Sequence, residues 1–174
     1  MITDFTKIDY LESGNQRQQR AHLVLTKYQI LEKLKDFSPL LAGTIPIEID
    51  IDGSDLDIIC EVKDEDFFLE TIRLSQLIPP GIHFTVEKIE IKGEKSIVIN
   101  FNLEEFPIEI FGQDKPTTQQ NAYRHMVAEY TILQEKGEEF KQQIIELKKE
   151  GIKTEPAFGV LMNLENPYED LLKF

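Results

Sequence analysis

Residues 41–62 read LAGTIPIEIDIDGSDLDIICEV, and the fold turns on how this stretch is divided. Glu48, Asp50, Asp52, Asp55 and Asp57 crowd into it and Glu61 follows, with apolar residues between them. So much like charge either lies on a solvated edge or holds a cation. The second half alternates as a strand does, because successive side chains point to opposite faces. Leu56, Ile58, Cys60 and Val62 share one face, and Asp55, Asp57, Ile59 and Glu61 share the other. One face is core; the other begins with two carboxylates.

Upstream, SPLLAGTIPIEI (38–49) reads as a short strand and turn. QRQQRAHLVLTKYQILEKLKD (16–36) reads as an amphipathic helix, with Leu23, Val24, Tyr28, Ile30, Leu31 and Leu34 at helical spacings. Downstream, DEDFFLETIRLSQLI (64–78) carries acids in its first turn, where the helix dipole favours them, and Pro79, Pro80 and Gly81 stop it. HFTVEKIEIKG, KSIVINFNLE and FPIEIFG (83–93, 95–104 and 106–112) are three strands, the first two forming a hairpin through Gly93, Glu94 and Lys95. From 119 to 150 a stripe of Ala122, Met126, Tyr130, Leu133, Phe140, Ile144 and Leu147 predicts helix, broken at Gly137. Thr154 ahead of Glu155 and Pro156, and Asn166 ahead of Pro167, read as helix caps.

This order predicts an α+β protein, an α/β sandwich in which helices pack on a short mixed sheet. It excludes a regular βαβ series and with it a doubly wound dinucleotide fold. A chain of 174 residues, 41% hydrophobic, fits one domain spanning 1–174, with a helical C-terminal part from about 119.

The formal charge is -13, from 32 acids and 19 bases, and the bases are scattered. Neutralising a nucleic acid backbone takes clustered Lys and Arg, so a nucleic-acid partner is disfavoured. A small anion such as a nucleotide stays open, because a metal or a few local bases can reverse the sign inside one pocket. No apolar run reaches the ~18 residues of a membrane span, and the first twenty residues carry neither a basic leader nor an apolar segment. With a lone Cys60 that cannot form an internal disulfide, the expected setting is cytoplasmic, away from membranes.

Asp55 and Asp57, one residue apart on a strand, point the same way and can share a hard cation. Mg²⁺ prefers octahedral oxygen at about 2.0–2.1 Å and is commonly held by one or two carboxylates plus substrate phosphates. Gly43-Thr44 ends the preceding apolar strand, where a tight turn lets backbone N–H groups approach a phosphate.

A hydrophobic residue followed by Gly43-Thr44, a spacer of about ten, then Asp55-Leu56-Asp57-Ile58 resembles the signature of the nucleotidyltransferase superfamily, the DNA polymerase beta-like fold. Thr44 departs from the usual Gly or Ser but keeps the hydroxyl of Ser. GTIPIEIDIDGSDLDIICE, QNAYRHMVAEYTIL and IKTEPAFGVLMNLENPYEDLL also look like a bacterial family of small uncharacterised proteins assigned to that superfamily, a similarity spanning nearly the whole chain.

The resemblance implies a sheet of nucleotidyltransferase type and transfer of a nucleotidyl group from a nucleoside triphosphate to a small-molecule or protein acceptor. Two Mg²⁺ or Mn²⁺ ions, typically about 3.5–4 Å apart, would activate the nucleophile and stabilise the leaving oxygen. Asp55 and Asp57 would be their ligands. A third carboxylate is expected from a later strand, and Glu109 is the best candidate, since Ile108 and Ile110 face away from it; Glu105 and Asp114 are weaker. Gly43, Thr44, Ser54 and Arg124 are the nucleotide-binding candidates. The alternative is a binding or regulatory protein that keeps the fold without turnover.

Blander readings compete. Asp50 and Asp52 fall in the spacer, as solvated loop acids. An EF-hand register fails at its twelfth position, Ile59, where a bidentate Glu is required. Arg124, His125 and Glu129 stand out on the long helix; His125 and Glu129, one helical turn apart, suit an ion pair, with a substrate or phosphate contact as the alternative. Arg17 and Arg20 suit a solvated helix face or a phosphate, and Lys115, which follows the Glu109 strand, is a candidate contact to a triphosphate. Cys60, on the apolar face, reads as an inert thiol. His22 and His83 have no matching ligands near them in sequence, and neither a Walker loop nor a Gly-x-Ser-x-Gly elbow is present.

Overall fold

Three antiparallel pairings and one parallel pairing join five strands in the order β1-β2-β5-β4-β3. The strands are β1 (Leu40–Ala42), β2 (Leu56–Glu61), β3 (Phe84–Ile91), β4 (Glu94–Leu103) and β5 (Phe106–Gln113). The computed structural model describes residues 3–174, so the first two residues of the N-terminal stretch lie outside it. The helices are α1 (Asp9–Glu12), α2 (Gln16–Lys27), α3 (Ile30–Lys33), α4 (Glu65–Leu74), α5 (Asn121–Lys136), α6 (Glu138–Lys149), α7 (Thr154–Met162) and α8 (Pro167–Asp170). The protein is therefore α+β, with helices covering both faces of a mixed sheet.

Strand alternation sorts the core. Leu56, Ile58 and Cys60 of β2, Ile97 and Ile99 of β4, and Phe106, Ile108 and Ile110 of β5 pack with Val24 and Leu25 of α2 and Phe68 and Ile72 of α4. On the opposite face, Leu40, Ala42 and Ile59 meet Met126 and Ile132 of α5, Ile144 of α6 and Phe158 of α7. Each fully buried large side chain, such as Phe68, Phe106 or Phe158, contributes about 1.5–3 kcal/mol by leaving water. The outer strand β3 is exposed along its whole length.

Several local expectations change. The helix expected over 16–36 stops at Lys27, because Gln29 adopts a left-handed φ of 54° that turns the chain and sends Ile30 and Leu34 into the core. The 64–78 helix ends four residues early, at Leu74. The β3–β4 turn falls on Lys92-Gly93, both at positive φ, so Glu94 and Lys95 already pair with Ile91 and Glu90. Thr154 is the first helical residue of α7 with Lys153 as its N-cap, and Asn166 precedes α8 without a side-chain cap bond. Gly137, at φ 83°, separates α5 from α6 as the sequence predicts. Among the described residues, no helix is long and apolar enough to cross a membrane.

Candidate active site

The acidic loop between β1 and β2 is held by its own carbonyls. Gln18, buried at the start of α2, donates its amide N–H to Ile45 O (3.0 Å) and Pro46 O (3.2 Å). Lys148 on α6 donates to Ile49 O at 2.5 Å, and Arg17 on α2 donates to Ser54 O at 3.2 Å. Within the loop, Ser54 N–H donates to Ile51 O (3.0 Å) and Ile51 N–H to Ser54 Oγ (2.9 Å), closing a tight turn.

That frame delivers Asp55 to the mouth of β2 and sets Asp57 on the strand. In the parallel pairing, Asp57 lies directly opposite Glu109 of β5, and on its other side it pairs with Ala42 of β1. Because side chains of paired positions share a face, Asp57 and Glu109 emerge together, away from Ile108 and Ile110. Gly43 makes room for this. It sits at φ 87°, which favours glycine, and a Cβ there would collide with the Asp57 carboxylate.

Asp55, Asp57 and Glu109 line an open cleft of about 690 Å³ together with Thr44, Ser54 and Lys148, while the start of α7 (Lys153, Thr154 and Glu155) forms the facing wall. Arg124 is exposed on α5 and does not line it. Of the spacer acids, Asp52 also lines the cleft, whereas Asp50 is half-buried. A further cavity of about 440 Å³ lies behind the same loop, lined by Tyr10, Gln18, Glu48, Tyr130 and Lys141, and includes none of the three carboxylates.

Electrostatics in the cleft are those of crowded acids. Burial, then the charges of Asp55 and Glu109, push the Asp57 carboxyl up to about 8, against the pull of Lys148. Burial and Asp55 raise Glu109 as well. Asp50 is raised by burial, which outweighs Arg17 and Lys148. A carboxyl so displaced is one that a divalent cation would restore to its ionised form. Among the described residues, no group of three or more His, Cys, Asp or Glu side chains forms a ready cation cage. The donor set is nevertheless the hard-oxygen type that Mg²⁺ and Mn²⁺ prefer, and mutual repulsion is the force a bound cation would remove.

Behind Lys148 lies a charged cluster that the sequence reading did not assemble. Glu129 of α5 is almost fully buried, and burial together with the charge of Glu155 raises its carboxyl well above the ordinary range while Lys148 opposes. Lys148, 7% exposed, is lowered by burial in spite of Glu129, Asp50, Glu155 and Asp55. His125 turns away from the expected partner Glu129. Its Nε2 meets Tyr168 O at 2.8 Å and its Nδ1 lies 3.5 Å from Glu155. Lys148 and Glu129 were findable as charged residues falling on the apolar stripes of α6 and α5.

Other sequence candidates resolve differently. Arg20 pairs with Glu104 and Glu105 at the β4–β5 turn, which also takes Glu105 out of the cleft. Lys115 pairs with Glu94 at 2.7 Å, and Asp114 is exposed outside the cleft lining. Arg17 is no solvated-face residue: its guanidinium lies 4.3 Å over the Phe106 ring. Cys60 is fully buried, and burial pushes its thiol far up, as an inert core residue requires.

Comparison with solved structures places this architecture. The Cid1 poly(U) polymerase with Mg and 3′-dATP bound aligns with a TM-score of 0.53 at 12% identity, over 76% of this chain and 40% of that one. A cytoplasmic RNA terminal U-transferase aligns at 0.52 and 13%, over 83% and 43%. The GLD-2/RNP-8 complex aligns at 0.51 and 13%, over 82% and 54%. At such identities the likeness concerns the fold, which is that of the nucleotidyltransferases, and the chain spans about half or less of the length of these structures. No curated protein sequence matches it. The sequence model of a family described as "Domain of unknown function (DUF4269)" matches residues 23–174, from α2 through the cleft to the C-terminal Phe174, and the chain belongs to that family.

Proposed function

We propose that the chain is a metal-dependent nucleotidyltransferase that moves a nucleotidyl group from a nucleoside triphosphate to an acceptor hydroxyl. The observation that carries this reading is the register of Asp57 against Glu109 on adjacent parallel strands, with Asp55 at the strand mouth and Gly43-Thr44 beside them. In this reading Asp55, Asp57 and Glu109 hold two Mg²⁺ or Mn²⁺ ions. Bound there, the ions would lower the pKa of the acceptor hydroxyl and neutralise charge on the departing pyrophosphate.

The remaining roles belong to the chain. Backbone N–H groups at Gly43-Thr44 and the hydroxyls of Thr44 and Ser54 face the phosphates. Lys148 and Lys153 supply the positive charge for which the sequence had offered Arg124, which lies outside the cleft lining. The acceptor oxygen attacks the α-phosphorus, the bond to the bridging oxygen breaks, and pyrophosphate leaves. Lys27, Lys88, Lys92, Lys115 and Lys141 each pair with a surface acid, and with 32 acids against 19 bases the chain as a whole repels a polyanion. We therefore favour a small-molecule or protein acceptor over the RNA on which the terminal U-transferase acts.

The test is thermal denaturation with Mn²⁺ and each of the four common triphosphates, followed by transfer from α-labelled triphosphate. A rise in Tm that Asp57→Asn abolishes, with label transfer in the wild type, is the expected result. No rise with any triphosphate would remove the reading, and binding without transfer would leave a nucleotide-binding protein.

A further inference from the structure

Arg17 stands where helix electrostatics disfavour it. It is the second residue of α2, whose first turn carries no acid, so its charge sits at the positive end of the helix dipole. Its Nε is buried without a hydrogen-bond partner, which leaves a desolvated donor uncompensated. A residue kept under both costs is held by something stronger than helix formation. Two contacts qualify: the guanidinium lies over the Phe106 ring, 4.3 Å from its centroid, and Nη2 donates to Ser54 O at 3.2 Å.

Those contacts span two arms of the site. Phe106 opens β5, the strand that carries Glu109 three residues later, and is fully buried. Ser54 O is the carbonyl of the peptide bond leading into Asp55. The Ile51–Ser54 turn is closed on itself, and among the described residues Arg17 makes the one side-chain hydrogen bond to it from another element. A planar guanidinium can lie flat on a ring and donate in its own plane at the same time, whereas a compact ammonium has no plane to stack and must reach both partners with one nitrogen.

We propose that Arg17 is the positioning residue of the carboxylate site: it clamps the Ile51–Ser54 turn, and through it Asp55, to the start of the strand bearing Glu109. What the clamp is for rests on the nucleotidyltransferase reading; that the clamp exists does not. Arg17 touches no reacting atom, and its effect passes through the turn.

Two measurements on the full chain test it, with Arg17→Ala and Arg17→Lys. In amide hydrogen exchange, both variants lose protection at residues 51–57 while α2 and β5 keep theirs. In Mn²⁺ titration followed by water-proton relaxation, both bind on the order of tenfold more weakly, as expected when an outer support of a metal ligand is lost. Unchanged exchange at 51–57 overturns the clamp, as does a loss spread evenly over α2 and β5, which marks a general stabilising role. Recovery of wild-type exchange and affinity by Arg17→Lys also overturns it. A wild-type protein that binds no Mn²⁺ removes the nucleotidyltransferase reading, and the clamp is then decided by the exchange data alone.

Discussion

Asp57 on β2 and Glu109 on β5 are register partners in the sheet's one parallel pairing, so two acids from distant parts of the chain share a face and a cleft. Asp57 holds its proton to about pH 8, whereas an unfolded aspartate releases it near 3.8. Between those values the folded state binds more protons than the unfolded state, so stability falls as pH rises.

In the absence of divalent cations, raising the pH from 5 to 8 should therefore cost on the order of 3–4 kcal/mol, or roughly 6–15 °C in Tm for a chain of this size. Glu109 and Glu129, both raised, act in the same direction. Asp57→Asn should flatten the dependence and raise Tm at pH 8. A Tm that climbs over this interval would contradict the burial of Asp57.

Gly43→Ala should be among the most damaging single-methyl additions in the chain. It places a Cβ against the Asp57 carboxylate and asks a non-glycine residue to hold φ 87°. Urea denaturation should show a loss of about 2–4 kcal/mol, with Mn²⁺ binding lost alongside.

Lys148 and Glu129 should prove coupled. Lys148→Met removes the cation opposing the buried Glu129 and leaves Ile49 O without its donor, whereas Glu129→Gln removes the charge to be opposed. A double-mutant cycle in urea should give an interaction of about 1–2 kcal/mol, with the double variant less damaged than the sum of the singles. Strict additivity would mean that the two do not sense one another.

Arg20→Ala should leave the denaturation midpoint nearly unchanged, because it and its partners Glu104 and Glu105 lie at an exposed turn. Equilibrium denaturation can check this. Equal losses from Arg20→Ala and Arg17→Ala would show that the arginine stacked on Phe106 has no special place.

Strand periodicity made much of the site legible in advance. Asp55 and Asp57 fall on the polar side of a strand whose other side is wholly apolar, and Glu109 between two isoleucines obeys the same rule. Which strand neighbours which was not legible, because the β2–β5 pairing is nonlocal and depends on the β3–β4–β5 meander folding back. Arg17, Lys148 and Glu155 come from helices far along the chain in both directions, and helical spacing gives a face without naming what that face meets. His125 and Glu129 show the limit of local reasoning: one turn apart, they were expected to pair, yet burial and Tyr168 drew them to different partners.

The separation of β2 from β5 has a consequence for biogenesis. Residues 62–105 must be synthesised before Glu109 can take its place beside Asp57. Nascent chains released before β5 would present the aspartates alone, as an unfinished and strongly anionic loop. If the carboxylates bind manganese as proposed, that affinity is a gauge of completed assembly, appearing only once the last strand lies between its two neighbours.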